Sequence, residues 1–305
     1  MRPKIMKHPS KSLKPVQYLK PTAFGIVMLL FSLLAGCGGK KETAESKSER
    51  SVENAAAIRG EVLKSLSESG INKQFSSTGT AFQEIALHDI SRIHDYLKLN
   101  NKATVALQLG VYMSDLGYLV DYNKSDEAKQ YFEGCVLLAN DAGLNKQFSH
   151  AMELKFGEII SGNETLEKSL NRLYKFADDS SDDFKKSHAA ALTGYYVEEL
   201  YHLVVVAQSS QPSDSLNSEM KLRALQALLS QRQGISNLIG YFDHLQLKPE
   251  GIALYQDFLM LQSKYLSLNA DQLMKETDPA KILQRSDCAD ILNAIKGIRN
   301  RITGR

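Results

Sequence analysis

Two stretches 84 positions apart limit what this chain can fold into: "ALQLGVYMSDLGYLV" at 106–120 and "AALTGYYVEELYHLV" at 190–204. They share the pattern A-x(3)-G-x-Y-x(2)-[DE]-L-x(2)-L-V. It is carried by Ala106, Gly110, Tyr112, Asp115, Leu116, Leu119 and Val120, then by Ala190, Gly194, Tyr196, Glu199, Leu200, Leu203 and Val204. At 100° per residue, Val105, Leu109, Tyr112, Leu116 and Leu119 share one helical face. Ala106, Gly110, Met113 and Gly117 form a second face about 120° away, where small residues let a neighbour approach closely. Val111 and Tyr118 make a third side apolar. A helix apolar all round is a buried one, so these are expected to be the central helices.

That setting isolates the acid. Between Ala103 and Val120 the only charged residue is Asp115. A buried carboxylate must find donors or a cation, or shift its pKa and go neutral. The expectation is either a structural tie between the two halves or an internal polar site in which Asp115 and Glu199 face each other across a pseudo-two-fold axis. Tyr112, Tyr196 and His202 would stand beside them. Glu199-Leu200-Tyr201-His202 has the E-x-x-H spacing of di-iron helical bundles, which need a second such motif. The matching place reads Asp115-Leu116-Gly117-Tyr118, where Tyr replaces the ligand, and Glu84/His88 and His150/Glu153 have the wrong spacing or order. No metal and no cofactor is therefore expected, and His202 is read as hydrogen-bonded within the core.

The rest of the chain reads as an all-α protein. Ala55, Ile58, Val62, Leu63 and Leu66 form a stripe ending near Gly70, and Phe82, Ile85, Ile93 and Leu97 form another closed by Asn100-Asn101. Ser125 is a good N-cap, with Asp126 and Glu127 in the first turn and a stop at Gly143. Lys248-Pro249 and Asp278-Pro279 look like helix starts. The polar run "ADDSSDD" at 177–183 lacks the Gly and terminal Glu of a calcium hand and reads as a connection supplying helix caps. The similarity of the two halves continues in "LLANDAGL" from Leu137 and "LLSQRQGI" from Leu228, with a longer loop around Gln211-Pro212-Ser213-Asp214 in the second. Each copy reads as a helix, a loop, a helix ending before Gly143 or Gly234, and two more helices. The expected architecture is about 10–11 helices in hairpins around a duplicated four-helix unit, roughly 101–184 and 185–268.

The N-terminus carries targeting information. Residues 1–20 hold six bases and no acid, and an uncharged run follows with an apolar core at 23–34. That core is shorter than the roughly 20 residues of a membrane span but suits a signal peptide. It ends in Leu34-Ala35-Gly36-Cys37, which resembles the lipobox of bacterial lipoproteins. The resemblance implies cleavage before Cys37 and lipidation of its sulfur. Residues 1–36 are then the signal peptide, 37–53 the lipidated Cys and a flexible spacer, and 54–305 a single helical domain. The chain has 37 Lys+Arg and 35 Asp+Glu; losing the six leader bases leaves 31 against 35, a net of about −4. The basic balance belongs to the precursor, and nucleic acid is not expected as a partner. Cys135 and Cys288 stay free after lipidation; the two readings are a pair or, preferred, two buried small apolar residues.

"GYLVDYNKSDEAKQYFEGCVLLANDAGL" looks like a tetratricopeptide hairpin, with Ala128, Phe132 and Cys135 at its small-aromatic-small spacing, but no regular array of about 34 residues runs through the chain. Lipobox, charged spacer and "LGVYMSDLGYLVDYNKSDEAKQYF" together resemble uncharacterised all-helical lipoproteins of Bacteroidota, a likeness that brings no catalytic residues. No nucleophile elbow, phosphate loop, H-E-x-x-H or dinucleotide fingerprint is present, so no catalytic residue is assigned and catalysis is not inferred. The expected function is a cell-envelope lipoprotein, anchored to the inner or, preferred, the outer membrane, that binds an envelope protein or peptide. The alternative is a small-ligand or ion-binding lipoprotein using the polar site around Asp115 and Glu199.

Overall fold

A computed structural model describes residues 87–144, 181–209, 215–245 and 254–304. Among these residues every regular element is helical and there is no strand, as expected of an all-α chain. The helices are α1 (Ile93–Tyr96), α2 (Lys102–Asp121), α3 (Ser125–Asp141), α4 (Asp182–Gln208), α5 (Ser215–Leu229), α6 (Arg232–His244), α7 (Tyr255–Ser267), α8 (Ala270–Leu273), α9 (Pro279–Leu283) and α10 (Ser286–Thr303). The expected stripe at 55–66, the Gly70 stop, the start at Lys248-Pro249, the loop at 211–214, and Glu84, His150 and Glu153 lie outside the described residues.

The centre is α2 against α4, the most closely associated pair. On α2, Val105, Ala106, Leu109, Val111, Tyr112, Met113, Leu116, Tyr118 and Leu119 are all buried, so every side of the helix is covered. α4 is covered in the same way from Ala189 to Ala207. Burying one Leu or Val is worth about 1.5–3 kcal/mol relative to exposure, so these two helices hold much of the driving force for folding. α3 returns along α2 to close a hairpin, α5 packs on α4, and α10 lies against both α4 and α2. α6 and α7 form a second layer, with α7 against α10.

The two central helices touch through the two glycines of the shared pattern. A Cβ on Gly110 would collide with the carbonyl oxygen of Ala191 and stand 2.5 Å from the Tyr195 nitrogen. A Cβ on Gly194 would collide with the carbonyl oxygen of Leu107 and stand 3.2 Å from the Val111 nitrogen. Position 107 matches 191 and 110 matches 194 at the offset of 84, so the two contacts are mirror copies of one another. Further along, Ser114 reaches Glu199 and Asp115 reaches His202, which means the helices run side by side in the same direction.

Several helix ends differ from expectation by a residue or by kind. α3 begins at Ser125, with Lys124 as its cap and no side-chain cap bond, because Ala128 N–H already bonds the Lys124 carbonyl at 2.8 Å. Ser125 is thus the first helical residue rather than the N-cap. Gly143 ends α3 in the left-handed region at φ 77°, and Leu144 N–H returns to the Ala139 carbonyl at 2.8 Å, the closing bond of a Schellman turn. Gly234 does not play that part. The chain turns before it, at Ser230 and Gln231, and Gly234 is absorbed, buried, in the first turn of α6. The helix expected through Phe82, Ile85, Ile93 and Leu97 is interrupted: 87–89 is not helical, and a run of short turns starts at Ile90 under an Asp89 cap. Asn101 caps α2 by accepting from Thr104 N–H at 3.1 Å, Ser181 caps α4, and Asp278 with Pro279 starts α9.

Candidate functional site

The acid singled out by the pattern lies at the junction of α2, α4 and α10. Asp115 has no exposed surface. Its Oδ2 accepts from the backbone N–H of His88 at 2.8 Å, and its Oδ1 is 3.0 Å from His202 Nε2 on α4. One carboxylate therefore ties the segment before α1 to both central helices. That segment is held from other sides too. Tyr112 OH donates to the Asp89 carbonyl at 2.7 Å, and Tyr131 OH donates to the His88 carbonyl at 2.7 Å. These three bonds claim backbone groups that a helix through 87–89 would need, which accounts for the interruption there.

Glu199 is not the partner of Asp115. It is half-buried and accepts from Ser114 Oγ on α2 at 2.8 Å. The acid that shares the interior with Asp115 is Glu198, also without exposed surface. Both Glu198 oxygens accept from Arg299 of α10: Nε to Oε2 at 3.1 Å, Nη2 to Oε1 at 2.8 Å. The Arg299 guanidinium lies 4.3 Å from the Tyr201 ring centre, so its face is covered as well. Sequence reasoning chose Glu199 because it aligns with Asp115, and it missed Glu198, Arg299 and the His88 amide. Glu198 stands four residues before His202, which puts both on one helical face. Arg299 interrupts the stripe of Cys288, Leu292, Ile295 and Ile302, where a lone base is a signal of a buried counter-charge.

The two matched tyrosines lie on opposite sides of the helix pair. Tyr112 faces the His88-Asp89 segment, while Tyr196 OH donates to Gln231 Oε1 at 3.1 Å, at the turn between α5 and α6. Neither hydroxyl bonds an acid. Burial raises both phenols, so both are protonated donors. Tyr118 and His202, which match at the offset of 84, meet ring to ring at 4.7 Å.

Electrostatically the junction is rich in acid. Burial, then the neighbouring Asp115, pushes the Glu198 carboxyl up to about 7 against the pull of Arg299. Burial also raises Glu199 and lowers His202, which keeps the imidazole neutral. A neutral His202 facing a carboxylate carries its hydrogen on Nε2; its buried Nδ1 has no hydrogen-bond partner among the described residues. Asp115, Glu198 and His202 bring one ligand-type atom each within 4.8 Å of one another. The cation serving that group is the guanidinium of Arg299, bonded to both oxygens of Glu198, so we do not read the three as metal ligands.

The end of α10 is fixed nearby. Arg92 Nη1 and Tyr96 OH donate to the Thr303 carbonyl at 2.7 and 3.0 Å, and Gln108 Nε2 donates to the Ile302 carbonyl. These satisfy the last carbonyls of the helix, with a base at its negative end. His88 Nε2 joins the same chain at 2.6 Å from Tyr96 OH. The free thiols of Cys135 and Cys288 are both buried, and burial raises both, so they behave as small apolar core residues. Among the described residues no helix is long and apolar enough to cross a membrane. No protein-family model, no curated protein and no solved structure matches the chain.

Proposed function

We propose that this chain is a cell-envelope lipoprotein, anchored through Cys37, whose helical body binds another protein or a peptide at its surface. The anchor rests on the basic leader, the short apolar core and Leu34-Ala35-Gly36-Cys37. The observation that favours surface binding over an internal site is the closure of the acidic junction. Asp115, Glu198 and His202 have no exposed surface, and the protein itself supplies the cation and the donors that the two carboxylates use. The paired pattern supports a duplicated unit, since the reciprocal approach at Gly110 and Gly194 follows from placing two copies side by side. Stacked helices of this kind offer extended faces to a partner. Among the described residues, three of the five large apolar side chains most exposed, Met260, Leu266 and Met274, fall in one stretch of α7 and the chain just behind α8.

The anchor is tested with radiolabelled palmitate. Wild type is expected to take up label and to fractionate with membranes; Cys37→Ser is expected to take up none and to keep its leader, because the alkylated nucleophile is gone. Labelling of Cys37→Ser equal to wild type removes the lipoprotein reading. Binding is tested by crosslinking tagged full-length protein in intact envelopes. A single recurrent partner is expected, lost in Met260→Glu/Leu266→Glu and kept in Asp115→Asn. Capture that depends on Asp115 but not on the exposed residues would favour the internal ligand or ion site instead.

A further inference from the structure

We propose that the junction of α2, α4 and α10 is a proton-binding latch: it closes around Arg299 with a proton held among Asp115, Glu198 and His202, and it loosens α10 as the pH rises past neutrality. The argument starts from a charge count. Facing the junction from α2 are Ser114, Asp115, Tyr118 and, toward Glu199, Asp121. From α4 come Tyr195, Glu198, Glu199, Tyr201 and His202; from α10 comes Arg299. The segment before α1 contributes the His88 amide, and α3 contributes the neutral Cys135 thiol. Three carboxylates thus meet one guanidinium and one imidazole, and the other groups are neutral apart from Asp121.

With His202 neutral and all three carboxylates ionised, the junction would carry a net charge of about −2, most of it in a water-free interior. A site of that kind does not stay fully ionised; carboxylates crowded together share protons, and the titration belongs to the group rather than to one residue. The natural seat is the short line from His202 Nε2 to Asp115 Oδ1 and on to Glu198, whose ligand-type atoms lie within 4.8 Å of one another. His202 takes no second proton readily, because an Nδ1–H would be a buried donor without an acceptor among the described residues.

The sign follows from linkage. A carboxyl raised by folding contributes stability that is complete below its ordinary value and is lost as pH rises through the folded value. Glu198 and Glu199 are of this kind, and for Glu198 the window runs from about 4.5 to about 7. His202, lowered by burial, acts oppositely and removes stability only as pH falls below about 6.5. The closed junction is therefore favoured by mild acid and weakened by base. α10 is the element that answers: among the described residues it carries Arg299 into the acidic group, and its opening lets water reach the carboxylates.

The test is hydrogen exchange on the full chain at pH 6.0 and 8.5, with intrinsic chemical exchange divided out. For α10 we expect protection to fall roughly tenfold at the higher pH, the factor that a proton held with a pKa near 7 instead of 4.5 implies. α3, which contributes no ionised group, serves as the control and is expected to hold its protection. Asp115→Asn keeps an acceptor for the His88 amide and a polar contact for His202 while deleting one negative charge, so its α10 protection is expected to fall less with pH than that of wild type. Equal α10 protection at both pH values in wild type, or an unchanged pH response in Asp115→Asn, overturns the latch. Should that variant not fold, carbon-13 carboxyl shifts of wild-type protein decide. A junction carboxyl titrating between pH 6 and 8 supports the proposal, and none doing so sinks it.

Discussion

Replacing Arg299 by Met is expected to cost about 3–5 kcal/mol of stability at pH 8, the penalty for leaving a buried charge without its partner. Glu198 has no exposed surface and Arg299 is 1% exposed, so water screens neither. Met roughly matches the aliphatic stem of Arg, and the loss reports the missing charge more than missing volume. The same argument fixes the pH dependence. Without the guanidinium, the Glu198 carboxyl rises further and takes up a proton; its folded value moves away from its unfolded one, and stability returns as pH falls. Urea denaturation at pH 8 and pH 6 should therefore show a smaller deficit for Arg299→Met at the lower pH. The double variant Glu198→Leu/Arg299→Met removes both charges and should recover most of the loss, since a well-packed apolar pair can replace a buried ion pair without penalty. A deficit that is the same at both pH values and is not relieved in the double variant would mean that Arg299 acts by packing alone.

The fold was legible where geometry is local, and the site only in part. Period and residue size identified α2 and α4 as interior helices, because a stretch with apolar residues on every side has no face to offer water. The helix start at Asp278 and the stop at Gly143 were readable because each depends on a side chain or a φ that one residue supplies. Gly234 misled for the same reason: a Gly permits a stop but does not impose one, and Gln231 had already made the turn. The break at 87–89 was not readable, since it is imposed by Asp115, Tyr112 and Tyr131 from distant parts of the chain. Asp115 was found from its isolation among apolar residues. Its partners were not, because pairing by alignment points to Glu199, whereas a helix rotates adjacent residues by 100° and turns Glu198 to the interior instead. Arg299 comes from 184 positions beyond Asp115, and only its place in an apolar stripe hinted at its burial.

Gly110→Ala and Gly194→Ala are each expected to destabilise the protein by about 3 kcal/mol, at the upper end of overpacking costs. The same change in an open helical position stabilises by up to about 1 kcal/mol, because Ala has the better helix propensity. Gly240 in α6, where an added Cβ meets nothing within 4 Å, is the matched control and should show that gain. At the two central glycines the added carbon meets the carbonyl oxygens of Ala191 and Leu107, which are backbone and cannot swing aside. The only relief is to move α2 and α4 apart along their shared face, which stretches the Ser114–Glu199 and Asp115–His202 bonds one to two turns further on. Because each glycine abuts the residue that matches the other's neighbour, the two single costs should agree within about 1 kcal/mol. Once the first alanine has separated the helices the second has less to disturb, so the double variant should cost less than the sum. Urea midpoints with unchanged slopes would measure all four variants. Wild-type stability in Gly110→Ala would show that the two helices do not approach this closely. Unequal single costs would show that the pattern shared by 106–120 and 190–204 does not produce equivalent contacts.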